Sequence, residues 1–428
     1  MVTIELSIAQ TVGAAALCLV IGELIKSRVG VLSRYFIPSP IIGGLVFSLA
    51  LLVGHLTQTF DLTISEPIKE FLLIVFFTTI GFSASFELLK KGGVAVALFL
   101  GVAIVLVISQ NLLGVGLAYV LGADPLLGLA AGSISMTGGH GTSAAFGPTL
   151  AEMGLVGALP AAIAASTWGL IAGCMIGGPI GRRLMNRYNL KGPSQRQGAR
   201  TRATQPPTAA HTSSKVVDSV AALEDTAQAE QSAQDVDAVE KRFGIDSALY
   251  GTILLAFAVG LGSYVTDALS SLGISIPIYI GAMLVAAVFR NLIDMTKLPM
   301  PDTEISVMGN ISLALFLAMA LMSMKLWELA DVFGPLVVIL IGQTVLMAAY
   351  AYFVTFKVMG KDYDAAVMAN GHCGFGMGAT PNAMANMQAF TEKNGDSRKA
   401  FFVIPLVGSL FIDFMNITVI TTFMHILG

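Results

Sequence analysis

The chain has 428 residues, 55% of them hydrophobic and only 12% charged, with a mean hydropathy of +0.78 and a formal net charge of −3. A soluble protein carries about 25% charged residues, so this chain cannot present a mostly polar shell to water and its solvent is largely lipid. A soluble enzyme, a nucleic-acid binder and a disordered scaffold are excluded, which leaves an integral membrane protein.

The N-terminus has Glu5 where a secretory signal would carry Lys or Arg, and its apolar run reads as a retained span. A membrane-crossing helix needs about 20 mostly apolar residues. Runs of that kind are 6–25, 37–54, 68–86, 92–121 and 155–180, then 249–269, 274–289, 305–324, 332–356 and 401–427. Segments 125–153 and 363–390 are apolar but Gly-rich and interrupted, at Gly138-Gly139-His140-Gly141 and at Gly374-Phe375-Gly376-Met377-Gly378. Between the halves, 186–243 holds 15 of the 51 charges and is rich in Ala, Gln, Ser and Thr, as expected of a disordered linker. Cys18, Cys174 and Cys373 lie in apolar or Gly-rich stretches with no ligand-like spacing and read as packing residues.

Lys and Arg stay on the cytoplasmic side in short loops. With the N-terminus outside and each interrupted segment a re-entrant hairpin, 22 of the basic residues fall inside and only Lys69 and Lys325 outside. Five spans per half is an odd number, so the halves run in opposite senses. A weak repeat at an offset of 238 agrees: Gly122-Ala123-Asp124 with Gly360-Lys361-Asp362, Gly138 with Gly376, Thr142 with Thr380. The predicted fold is an all-α integral membrane protein of two inverted-topology repeats, each of five transmembrane helices plus one re-entrant hairpin. The divisions are 1–185, the cytoplasmic linker 186–243, and 244–428. Inverted repeats with broken helices mark secondary transporters.

Non-helical backbone at membrane depth must be buried in protein or line a watery cavity. Its free groups, with half-helix N-termini, suit anions, and exposed carbonyls suit Na+. The first tip carries Ser133, Ser135, Thr137, Thr142 and Ser143 among three glycines, which equips it for an ion or a carboxylate; the plain alternative is a tight turn. In the second, Thr380 is the expected N-cap before Pro381, with Asn382 and Asn386 on one helix face. His140 and His372 have no further ligand-like neighbours and are expected to be neutral hydrogen-bonding groups. Asp413 is a carboxylate in the middle of an apolar run, with Asn416 on the same face, and could take Na+ or an ammonium. Gln110, Asn111, Asn310 and Gln343 are expected to bond between helices, and no Arg or Lys is expected mid-span.

Gly138-Gly139-His140-Gly141-Thr142 and the long run from Asn370 through Gly371-His372-Cys373-Gly374-Phe375-Gly376-Met377-Gly378-Ala379-Thr380 to Pro381 resemble the bacterial sodium/glutamate symporter family. The resemblance implies uptake of L-glutamate with Na+ as coupling ion and no other cofactor, by a non-enzymatic homodimer embedded in lipid, with elevator-like alternating access. It further implies a bacterial inner (plasma) membrane location, consistent with periplasmic termini. On that reading the substrate contacts fall among Ser135, Thr137, Gly138, Gly139, Gly141, Thr142, Ser143, Gly376, Gly378, Thr380, Asn382 and Asp413. Na+ falls near Ser135, Thr137, Asn370, Gly374, Asn386, Asp413 and Asn416. A Na+-coupled di- or tricarboxylate carrier, a channel, and an intramembrane hydrolase using His140, His372 and Asp413 are the competing readings.

Overall fold

The computed structural model describes residues 2–193, 245–271 and 277–428. Most of the linker, and the start of the run 274–289, lie outside the described residues. The chain is mostly helical: α1 (Ile8–Arg28), α2 (Gly30–Arg34), α3 (Ser39–Leu56), α4 (Glu66–Ser83), α5 (Phe86–Val120), α6 (Pro125–Ile134), α7 (Gly139–Glu152) and α8 (Ala158–Tyr188). Then follow α9 (Ser247–Ser271), α10 (Ile278–Thr296), α11 (Asp302–Met322), α12 (Phe333–Val358), α13 (Tyr363–Gly376), α14 (Thr380–Asn394), α15 (Arg398–Leu410) and α16 (Ile412–Leu427). A short parallel ladder, β1 (Val2–Glu5) with β2 (Phe60–Thr63), is an addition to the all-α expectation.

Among the described residues, eight helices are long and apolar enough to cross a membrane: α1, α3, α5 from Gly92, α8, α9, α10, α11 and α12. Only 22% of the most apolar 18-residue stretch of α1, and of α9, is buried. Residues such as Leu17, Leu112, Phe257 and Val345 are exposed, which is stable only where the surroundings are lipid. The expected span 401–427 is broken into α15 and α16, bent by 45°, and makes a ninth span if the pair crosses as one. The expected span 68–86 is α4, which ends at Ser83.

The helices divide into two units. The first comprises Met1–Leu73, Leu88–Gly192 and Ile311–Gly428. Within it α1 and α3 cross closely, because a Cβ at Gly22 would lie 2.0 Å from Ser39 O and one at Gly43 would lie 1.9 Å from Cys18 O. Small residues at such crossings let backbones approach, the main source of helix adhesion in lipid. Ala15, Cys18, Ile64, Ala318, Met319 and Met322 form a buried cluster beside this crossing.

The second unit comprises Ile74–Glu87 and Pro193–Asn310. Its apolar core includes Phe82, Leu255, Ala258, Ala286 and Ile293. Here the structure corrects the expectation of no basic residue within a span. α10 continues seven residues past Phe289, so Arg290 lies inside the helix and is buried. Its Nε donates to Asp294 at 3.1 Å and its Nη1 to Asp302 and the Phe82 carbonyl. Ser85 donates to Asp294, and Asn291 holds Phe86 N and Ala84 O, so the network fixes the end of α4. Removing one member of a buried ion pair costs about 3–5 kcal/mol. Arg290→Met should therefore sharply reduce the folded fraction after solubilisation, read by fluorescence-detected size exclusion. Adding Asp294→Asn should recover part of the loss; no recovery would mean that the network is not coupled.

Candidate functional site

The first interruption follows from local chemistry. Gly122 ends α5's run with φ +66, and Asp124 caps α6 by accepting from Leu126 N. Gly132 leaves helical geometry at ψ −138 and opens the end of α6. α7 begins at Gly139, whose φ of +63 favours glycine at that turn. Ser133 is fixed from two sides: its N–H donates to Asn111 Oδ1 at 2.7 Å, and its carbonyl accepts from Asn416 Nδ2 at 3.1 Å. Asn111 Nδ2, Ser133 Oγ and Asn416 Oδ1 are buried with no hydrogen-bond partner among the described residues. Ser135, Ser143 and Ser166 bring their hydroxyls together against α8, and His140 Nε2 lies 3.0 Å from Thr167 Oγ1.

The second interruption repeats the entry device. Gly360 takes φ +125 and Asp362 caps α13 by accepting from Ala365 N. α13 ends at Gly376 and α14 starts at Thr380. The expected N-cap moves by one residue: Ala379 holds that place without a side-chain bond, and Thr380 opens the helix. Each interruption takes in one edge of its glycine cluster, at Gly138–Gly139 in the first and at Gly378 in the second. Gly374 and Gly376 are helical, and Gly374 is small because a Cβ there would lie 2.7 Å from Ala383 N. Asn382 and Asn386 do share a face: they donate to Leu170 O at 3.2 Å and to Gly173 O at 3.0 Å, both on α8.

α8 carries a stripe that makes this contact possible. Added Cβ atoms at Gly169, Gly173 and Gly177 would lie 2.2 Å from Met377 O, 2.6 Å from Cys373 O and 2.7 Å from Asn370 Oδ1. Gly181 meets the Phe390 ring. The spacing of four puts these glycines on one helix face. Glycines at that spacing in an apolar run are the sequence signal of such close helix packing.

The two tips meet. Thr137 donates to Gln110 Oε1 at 2.8 Å, and Gln110 Nε2 donates to Gly376 O at 2.6 Å. Gly139 faces Gly378, with an added Cβ 3.1 Å from its carbonyl oxygen. Gln343 Nε2 holds the Gln110 backbone carbonyl at 2.7 Å. Neither Gly138 nor Ala379 supplies a side-chain cap, so the first N–H groups of α7 and α14 lack that partner at the breaks.

The remaining residues sort by place. Thr142 packs on Gly138, Gly141 lies in the first turn of α7, and Thr380 approaches Gly408. Gly378 lies close to Gly374 O and Leu170. Asp413 is not mid-helix: it stands in the first turn of α16, just after the bend, one turn before Asn416. It forms no hydrogen bond or ion pair among the described residues. The residues expected near Na+ fall in two places. Ser135 binds α8 at Ala162, whereas Asn386 binds it at Gly173 and Asn370 faces Gly177. Ala162 and Gly173 are roughly 16 Å apart along the helix, too far for one ion. Asn310, expected to bond between helices, is exposed.

His372 lies in an aromatic box, stacked on Phe375 with Phe99 edge-on, and its Nδ1 is 2.8 Å from Thr355 Oγ1. Cys174 Sγ accepts from Asn382 at 3.1 Å, a role beyond packing. No group of three His, Cys, Asp or Glu suited to a metal occurs among the described residues.

Two broken helices meeting among buried amides, hydroxyls and uncapped helix ends define a membrane protein with the central architecture of secondary transporters. The chain belongs to the sodium/glutamate symporter family, whose profile matches residues 4–396. A sodium/glutamate symporter of Escherichia coli (strain K12) is 39% identical over 417 residues, covering 97% of this chain and 96% of that one. One of Haemophilus influenzae is 36% identical over 409 residues, covering 95% and 94%. A sodium proton antiporter structure from Methanocaldococcus jannaschii aligns at TM-score 0.42 and 15% identity over 97% of each chain, a likeness too slight to argue from.

Proposed function

We propose that this protein is a Na+-coupled symporter that imports L-glutamate across the bacterial inner membrane. The observation that carries the reading, beside family membership, is the meeting of the two helix breaks through Thr137, Gln110 and Gly376. Carboxylates of the substrate meet the N–H groups at the starts of α7 and α14, where partial positive charge is concentrated. Hydroxyls of Thr137, Thr142 and Thr380 and the amide of Asn382 complete the polar lining. The substrate ammonium meets Asp413 or a free carbonyl, and Na+ lies among the oxygen groups of the tips.

The Na+ gradient and the membrane potential supply the drive, the latter about 2.3 kcal/mol per charge per 100 mV. Exposure alternates by elevator-like movement of a hairpin-bearing core in a homodimer, with the termini periplasmic and the linker cytoplasmic. Gly122 with Asp124 and Gly360 with Asp362 perform the same end-and-cap task in the two halves, which supports an inverted duplication with paired re-entrant hairpins.

The test is uptake of labelled L-glutamate into proteoliposomes under an inward Na+ gradient, with a K+ control. Saturable uptake that collapses without Na+ is expected, and Asp413→Asn should lower it about tenfold or more. Indifference to Na+ would overturn the symport reading. Na+-driven citrate or malate uptake in place of glutamate would overturn the substrate assignment alone.

A further inference from the structure

Five buried oxygens converge where α6, α7 and α8 meet, and they are short of protons. Four close into a ring: Ser135 Oγ to Ser143 Oγ at 3.1 Å, Ser143 Oγ to Ser166 Oγ at 2.6 Å, Ser166 Oγ to Ala162 O at 3.0 Å, and Ala162 O back to Ser135 Oγ at 2.9 Å. The fifth, Ala130 O, touches Ser135 Oγ from the end of α6. That makes five close oxygen–oxygen contacts. Three hydroxyls bring three protons, and the carbonyls bring none. At most three contacts are therefore hydrogen bonds, and at least two set lone pair against lone pair. All three serine side chains are fully buried, so bulk water does not relieve the crowding.

A cation does. Hard cations take oxygen ligands at about 2.4 Å, which leaves neighbouring ligands roughly 3 Å apart, the spacing of this ring. Every ligand is neutral. Divalent ions such as Ca2+ and Mg2+ draw carboxylates, so the set suits a monovalent ion. We propose that the ring of Ser135, Ser143, Ser166 and Ala162 O, with Ala130 O, is a Na+ site. The proposal rests on the symport reading above and narrows it, since Ser143, Ser166 and the two carbonyls join Ser135 in place of the more distant Asn370 and Asn386.

The site also says how ion and substrate couple. Ser135 stands in the turn before α7, and an ion there ties that turn to α8. Thr137, two residues on, reaches Gln110 and the Gly376 carbonyl of the other tip. Na+ therefore orders the first tip against the second before substrate is carried.

The experiment compares wild type with Ser166→Ala and Ser143→Ala, each purified and kept only if it elutes as a single folded peak. Two quantities are read: the Na+ concentration giving half-maximal glutamate uptake in proteoliposomes, and the Na+-dependent rise in melting temperature without substrate, against K+. Both variants should need at least about tenfold more Na+ in both assays, while uptake recovers substantially as Na+ is raised. Unchanged Na+ dependence in either folded variant, with a Na+-dependent wild type, would overturn the site and leave symport standing. A wild type that ignores Na+ in uptake would overturn both.

Discussion

Gly169→Leu is expected to remove nearly all folded transporter from the membrane and to reduce glutamate uptake below about a tenth of wild type. The α8 helix and the turn between α13 and α14 touch at Gly169, where even a Cβ would lie 2.2 Å from the Met377 carbonyl oxygen. That oxygen belongs to the backbone, so no rotamer change relieves the clash and the two elements must separate. Separation strains the neighbouring contacts, because Asn382 and Asn386 reach Leu170 O and Gly173 O across the same gap. Overpacking alone costs about 1–3 kcal/mol, and each buried amide left unpaired adds about 1–3 kcal/mol. Gly178→Ala supplies the contrast. An added Cβ there meets nothing within 4 Å, and alanine favours the helix by roughly 0.8–1 kcal/mol over glycine. It should match or exceed wild type in yield and uptake. If the two substitutions behaved alike, close packing along α8 would not be what holds α13 and α14 in place.

That stripe marks a boundary of what the sequence makes legible. Eight of the ten expected spans followed from hydropathy among the described residues, because lipid exposure needs only apolar residues in a long enough run. The end-and-cap pairs Gly122 with Asp124 and Gly360 with Asp362 were visible as a repeat, since positive φ and a side-chain cap are local requirements. The exact breaks were less visible. Glycine is selected both where a turn needs positive φ, as at Gly139, and where two backbones approach, as at Gly374, and the two demands look alike in sequence. Arg290 was hidden because Arg-Asn-Leu-Ile-Asp reads as a loop until Asp294 and Asp302 are seen to neutralise it. Asn310 and Gln110 invited the same reading, yet one is exposed and the other joins both tips; only packing separates them. Ser166 lies 23 residues from Ser143, too far for a local pattern to connect them.

Gln110→Leu should leave the protein folded and cut glutamate uptake on the order of a hundredfold. Gln110 is fully buried and is a bridge between the breaks: it accepts from Thr137 of the first and donates to Gly376 O of the second. Leucine has similar bulk but neither group, so the Thr137 hydroxyl and the Gly376 carbonyl lose their good partner. Thr137 lies 3.4 Å from that carbonyl and can compensate only weakly. Two groups left poorly satisfied at about 1–3 kcal/mol each bracket two decades in rate or affinity, at 1.36 kcal/mol per decade. The helix itself is spared, because Gln343 holds Gln110 through the backbone carbonyl, which leucine keeps. Yield and melting temperature should therefore fall far less than uptake. Thr137→Val removes one bond of the pair and should give an intermediate loss, while Gln343→Leu, which breaks the backbone contact, should lower stability along with transport. Near-normal uptake by Gln110→Leu would mean that the tips do not act through this bridge, and the substrate site would have to be sought elsewhere along α7 and α14.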